Sequence, residues 1–169
     1  AERQEERYEL DQGRVIMMTG GSRAHWQITF NLAKALDNRI DAEQFMVVPE
    51  FGVDLSSRTV RFPDVVVDVR GGARGDLTAK APVLIAEVLS PSSERIDLGD
   101  KAAEYLQLPI LPAYLVFAQD EMKAWVGARG AEGFAAGAVV LEGPEGVIRV
   151  DALGIELPFT DVYARVELN

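Results

Sequence analysis

A carboxylate inside an apolar strand needs a reason to be there. Glu87 sits in the run Leu84-Ile85-Ala86-Glu87-Val88-Leu89, and burying an unpaired carboxylate is costly. It must be held by a partner, by a metal ion, or by a raised pKa. Asp64 occupies a comparable place, opening the apolar run Val65-Val66-Val67. Lys101 follows on the next helical segment. Two acids and a lysine are the parts needed to hold a divalent cation and activate water. The chain has no cysteine, and His25 is its single histidine. A metal site must therefore be built from oxygen ligands, which favours Mg²⁺, Mn²⁺ or Ca²⁺.

The elements that must position these groups follow from pattern. Tyr8-Glu9-Leu10 and Arg14 to Met18 flank Asp11-Gln12-Gly13, a hairpin with glycine in the turn. Ser22 can cap a helix, and Ile28, Leu32, Leu36 and Ile40 recur every four residues. That periodicity predicts an amphipathic helix from Arg23 to Ile40. Strands are predicted at 45–48, at 51–55, and from Val60 through a bend at Pro63 to Val69. Val83 to Leu89 reads as a strand buried on both faces. Asp97 is read as the cap of a helix from Leu98 to Leu108, ended by Pro109 and Pro112. Ala113 to Phe117 is a further buried strand, and a strand-helix-strand connection implies a parallel pair. Strands at 121–126, 138–141 and 147–150 follow, and 158–163 suggests one helical turn. The expected class is α/β (an α+β mixed sheet) in one domain, residues 1–169.

Alternate residues of a strand share a face. Asp64 therefore groups with Val66 and Asp68, and Glu87 with Ile85 and Leu89. On the following helix, Leu98, Ala102, Tyr105 and Leu106 form the core stripe, with Lys101 at its flank, where a long side chain can reach the sheet end. Two close carboxylates repel, so without metal the replacement of Glu87 by glutamine is expected to preserve or raise stability. Glu50 is a candidate third acid. Pairing Val53 with Val60, or Val53 with Phe62, matches apolar faces, and both registers set Glu50 opposite a neighbour of Asp64. A bulge at Gly52 could realign it.

Each feature also has a plainer reading. Asp64 can be a strand-end turn residue, Glu87 half of a buried salt bridge with Arg61 or Lys101, and Lys101 a solvated helix lysine. His25 belongs to the helix start, with an accessory catalytic role as its sharper alternative. Trp26 is read as packing rather than substrate stacking. The loop 71–75 lacks Walker spacing.

The net charge is −10, which argues against broad electrostatic binding to nucleic acid and leaves room only for a local basic patch. The chain holds no apolar run long enough to span a membrane, and Ala1-Glu2-Arg3 shows no signal-peptide pattern. With no cysteine, the expected compartment is the cytoplasm.

Arg61-Phe62-Pro63-Asp64-Val65-Val66-Val67, then Ala86-Glu87-Val88-Leu89-Ser90-Pro91-Ser92-Ser93, then Asp97-Leu98-Gly99-Asp100-Lys101 with Tyr105, resemble the Uma-two type restriction endonucleases. These are bacterial members of the PD-(D/E)XK nuclease superfamily. The resemblance implies a restriction-endonuclease-like core, a central mixed sheet flanked by helices. It implies that Asp64 and Glu87 bind Mg²⁺ or Mn²⁺, with the Val88 carbonyl as a further ligand. In the superfamily pattern the lysine stands two residues after the second acid, where this chain has Leu89. The look-alike family carries it on the next helix, matching Lys101. The expected activity is metal-dependent hydrolysis of DNA, with DNA as partner and a homodimer as a candidate assembly. Two alternatives stay open: a non-catalytic module of the same fold that binds nucleic acid or protein, and a carboxylate-metal enzyme acting on a small phosphorylated ligand.

Overall fold

The computed structural model describes residues 8–18, 20–89 and 96–168. The Ser90-Pro91-Ser92-Ser93 run lies outside them. The chain opens with a hairpin of β1 (Tyr8–Asp11) and β2 (Arg14–Met17). Gln12 and Gly13 take φ values of 48° and 85°, the left-handed pair that a two-residue hairpin turn demands. Helix α1 (Arg23–Asp37) starts at Ser22, whose side chain accepts from the His25 N–H. It stops three residues earlier than the periodicity predicts, and Ile40 packs from the following turn.

Then come β3 (Phe45–Pro49), β4 (Val53–Ser56), β5 (Thr59–Arg61), β6 (Val65–Val69) and β7 (Pro82–Val88). A π-helical turn over Ile96–Asp100 leads into α2 (Lys101–Leu106). Asp97 therefore lies inside the helical segment and is not its cap. The remaining elements are β8 (Ala113–Phe117), β9 (Lys123–Gly130), β10 (Gly133–Phe134), β11 (Val139–Glu142), β12 (Val147–Val150), β13 (Ile155–Pro158) and α3 (Phe159–Val162).

The architecture is mixed α+β. Seven strands form the main sheet in the order β10-β9-β8-β7-β6-β3, with β11 also on β9. Strands β7 and β8 run parallel and the other pairs antiparallel. A second sheet has the order β2-β1-β5-β4. The predicted strand 60–69 is thus two strands in two sheets, and Phe62-Pro63-Asp64 carries the chain between them. Proline's missing N–H suits this crossing, where no ladder bond is made.

Alternation divides the main sheet's side chains between two cores. Val65, Val67, Leu84, Ala86, Val88, Leu115 and Phe117 face α1 through Ile28, Leu32 and Leu36, joined by the β12–β13 hairpin and α3. Val66, Ile85, Leu89, Tyr114 and Val116 face Leu98 of the π-helical turn and Ala102, Tyr105 and Leu106 of α2. One helix on each face leaves the strand ends between them as the meeting place for polar groups. No helix among the described residues is long and apolar enough to cross a membrane.

Candidate active site

Strands β6 and β7 pair with Val65 opposite Ala86, and one step further along that register brings Asp64 opposite Glu87. Opposed residues of an antiparallel pair share a face, so the two carboxylates meet at the strand ends. The Asp64 N–H points at Glu87 Oε2 at 3.4 Å, and Asp64 Oδ2 accepts the Val88 N–H at 2.6 Å. Glu87 is only 4% exposed.

Lys101, the first residue of α2, carries its ammonium 3.4 Å from Glu87 Oε1. Tyr105, one turn on, donates its hydroxyl to the same oxygen at 3.2 Å. Burial, and then the nearby Glu87 charge, push the Tyr105 pKa well above the usual phenol range, so the O–H stays protonated and donates. Three donors converge on Glu87, which favours the opposite outcome to the one repulsion between the carboxylates predicts. In EDTA, Glu87→Gln is expected to lower the melting temperature by several degrees. The amide sets a donor against one of those donors, at about 1–3 kcal/mol, and each kcal/mol is worth about 2–4 °C in a chain of this size. An unchanged or raised melting temperature would restore the repulsion reading.

Arg61 is not a partner of Glu87. It is buried, forks onto Glu104 at 2.9 and 3.0 Å, and reaches Asp11 at 3.0 Å and Glu9 at 3.4 Å. Desolvation opposes its charge, yet the adjacent carboxylates outweigh that and hold its pKa above the ordinary arginine value. Glu9 in turn accepts the Phe62 N–H at 3.1 Å and lies 3.6 Å from the Lys101 ammonium. Lys101 thus bridges Glu9 on the small sheet and Glu87 on the large one. Pattern reading missed Glu9, Glu104 and the Tyr105 hydroxyl. The available signal was Glu9, an acid in a short strand between Tyr8 and Leu10.

Buried Arg61 also explains the register of β4 and β5. Val53 pairs with Arg61 and Asp54 with Val60, which lies between the two registers weighed from sequence. Both of those matched apolar with apolar, whereas the residue opposite Val53 is the buried Arg61. The observed register continues that of β3 and β6, where Pro49 faces Val65, and Glu50 falls opposite Asp64, its N–H donating to the Asp64 carbonyl at 3.1 Å. Glu50 adopts φ of 51°, which takes it out of the strand alternation. Among the described residues no three His, Asp or Glu side chains gather closely enough to hold a metal ion, so Glu50 does not complete a ligand triad here. It lines, with Tyr8, Met18 and Phe62, a recess of about 290 Å³.

His25 reaches the site directly. Its Nε2 lies 3.0 Å from Asp64 Oδ1, and both side chains are largely buried. Gly21 makes this possible: a Cβ there would stand 2.4 Å from the imidazole Cδ2.

The Asp64 and Glu87 carboxylates form a small, hard oxygen donor set. It is too small for a Ca²⁺ cage of six to eight ligands and fits Mg²⁺ or Mn²⁺, which keep several waters and share phosphate oxygens.

The chain is similar to several known proteins. The profile of the Uma2 family, described as "Putative restriction endonuclease", matches residues 1–160. An uncharacterized Synechocystis protein, sll1609, is 32% identical over 119 residues, covering 68% of this chain and 67% of that protein. A second one, slr1290, is 31% identical over 118 residues, covering 68% of this chain and 62% of its own length. The chain thus spans about two thirds or less of these relatives. The crystal structure of "a putative nuclease belonging to DUF820" from Anabaena variabilis superimposes with a TM-score of 0.76. The match covers 97% of this chain and 93% of that one at 16% identity, which makes it a likeness of fold.

Proposed function

Because this chain belongs to the Uma2 restriction-endonuclease family, we propose that it is a divalent-metal-dependent endonuclease hydrolysing DNA phosphodiester bonds, built as one domain over residues 1–169. Its proposed catalytic residues are Asp64, Glu87 and Lys101, with His25 and Glu50 as accessories. The observation that carries this reading is the convergence of two carboxylates and an ammonium from the crossing before β6, from β7 and from α2. Asp64 and Glu87, with the Val88 carbonyl, would hold Mg²⁺ or Mn²⁺. When bound, the ion neutralises phosphate oxygens and acidifies a water.

The chain's own groups do the rest. Tyr105 fixes the Glu87 carboxylate by donating to it, and the Val88 N–H and His25 fix that of Asp64. Lys101 lies between two carboxylates and presents positive charge to the phosphate as negative charge builds on it. Glu9, tied to the Phe62 N–H, limits where that ammonium can go.

The test is calorimetric titration with Mn²⁺. Asp64→Asn and Glu87→Gln, each checked for folding by circular dichroism, are expected to weaken binding by about tenfold or more; even outer partners of a metal ligand are worth about 10- to 100-fold. Wild-type affinity in both folded variants would remove the metal from this site and the nuclease reading with it.

A further inference from the structure

The chain is acidic overall, yet one surface beside the candidate site is not. Arg23, Trp26, Phe30 and Lys34 recur at helical spacing along α1, and steps of three and four align them on one face. All four are exposed, Trp26 by 40% and Phe30 by 64%. Phe30 is far more open than core packing would leave it. Among the described residues neither Arg23 nor Lys34 has an ion-pair partner, whereas Arg39, Arg61, Lys101 and Lys123 each face a carboxylate. The stripe runs past the site itself: Trp26 meets the His25 ring edge-on at a centroid distance of 5.3 Å, and His25 touches Asp64. Acidic groups bound the track, Asp37 at the far end of α1 and Asp120 and Glu121 on the turn that Ser22 reaches through Gln119. Between Arg23 and Lys34 it is about 16 Å long.

We infer that this face of α1 is a binding track for unpaired nucleotides of a DNA strand, with Trp26 and Phe30 stacking bases and Arg23 and Lys34 taking phosphates. The inference rests on the nuclease reading for the identity of the polymer and deepens it by naming the form of the substrate. Aromatic rings on a convex helix can stack only on bases whose faces are free, and a duplex hides those faces between neighbours. Cations at both ends of an aromatic pair suit a phosphate backbone. They do not suit a second copy of the chain: a twofold antiparallel contact about this stripe sets Arg23 against Lys34, and a parallel one sets each cation against itself. The track also answers the objection of the net charge, because stacking supplies affinity that a few phosphate contacts do not.

The chain has two tryptophans, so Trp125→Phe leaves Trp26 as the sole reporter. In EDTA, oligo(dT) is expected to quench its emission and a blunt duplex is not. Phe30→Ala should weaken oligo(dT) binding, read by anisotropy of a labelled strand, by about five- to a hundredfold, the scale of one lost base stack. The pair Arg23→Ala with Lys34→Ala should flatten the salt dependence by about 1.4 in log–log slope. No quenching, unchanged affinity in Phe30→Ala, or equal duplex binding with the same sensitivity overturns the inference. So does sedimentation in which Phe30→Ala dissociates a dimer while oligo(dT) affinity is untouched. The two readings fail separately. Quenching by oligo(dT) in a wild-type protein that cleaves nothing with Mn²⁺ keeps the track and removes the nuclease. Cleavage without quenching does the reverse.

Discussion

Arg61→Ala is expected to lower the melting temperature by about 10 °C or more, with the measurement made in EDTA so that metal binding plays no part. The side chain is buried and meets Glu9, Asp11 and Glu104. Removing it leaves three carboxylates in one place without their shared cation. Breaking a buried pair from one side costs about 3–5 kcal/mol, and each kcal/mol is worth about 2–4 °C in a chain of this size. Arg61→Lys should fall between the two, because an ammonium restores charge but cannot fork onto both Glu104 oxygens. The damage should also reach the site, since Arg61 adjoins the Phe62-Pro63-Asp64 crossing and helps to hold Glu9, which faces Lys101. A melting temperature within about 2 °C of wild type would mean that Arg61 is solvated and that this network does not exist in solution.

That network marks the limit of what could be read without coordinates. Asp64 and Glu87 stand out because each sits at an apolar run, and alternation sets each on one face of its strand; that the two strands are neighbours comes from the fold itself. Lys101 stands out by its place beside the stripe of α2. Glu9 and Glu104 do not stand out, because each looks like an ordinary surface charge until the two sheets meet at Pro63; Arg61, weighed as a partner of Glu87, turns to them instead. Matching apolar faces misses the β4–β5 register by one residue, because the residue opposite Val53 is the buried Arg61, and Glu50 shifts with it. Strand β13 went unread although Ile155 and Leu157 alternate with Glu156; the following Pro158 drew attention to the turn instead. Trp26, read as packing, meets His25 edge-on and is 40% exposed, and nothing local to it reports that Phe30 stands open one turn away. Local pattern identified the unusual residues, and tertiary contact decided which usual-looking ones support them.

Lys101→Ala is expected to cut the single-turnover cleavage rate by about a hundredfold or more, the scale for losing one positioned charged group, while Mn²⁺ affinity changes little. The variant should fold, because Glu87 keeps Tyr105 and the Asp64 N–H as donors and Glu9 keeps Arg61 and the Phe62 N–H. That makes the rate loss interpretable as chemistry. The Lys101 ammonium lies 3.4 Å from Glu87 and 3.6 Å from Glu9, so it has a competing role as a counter-ion. If neutralising the acids is all it does, its removal should tighten Mn²⁺ binding and leave the rate near normal, since the metal would take over the neutralisation. If it is only a solvated helix residue, neither quantity moves. Lys101→Arg adds a further cut: it preserves charge but replaces a compact ammonium with a planar fork, so a counter-ion role survives it and a positioned catalytic ammonium does not. A normal cleavage time course for Lys101→Ala, on any strand the wild type cuts, would remove Lys101 from the chemistry. It would weaken the nuclease reading with it, because Lys80 and Lys123 face Asp76 and Glu142 instead, and neither stands in for it beside Glu87.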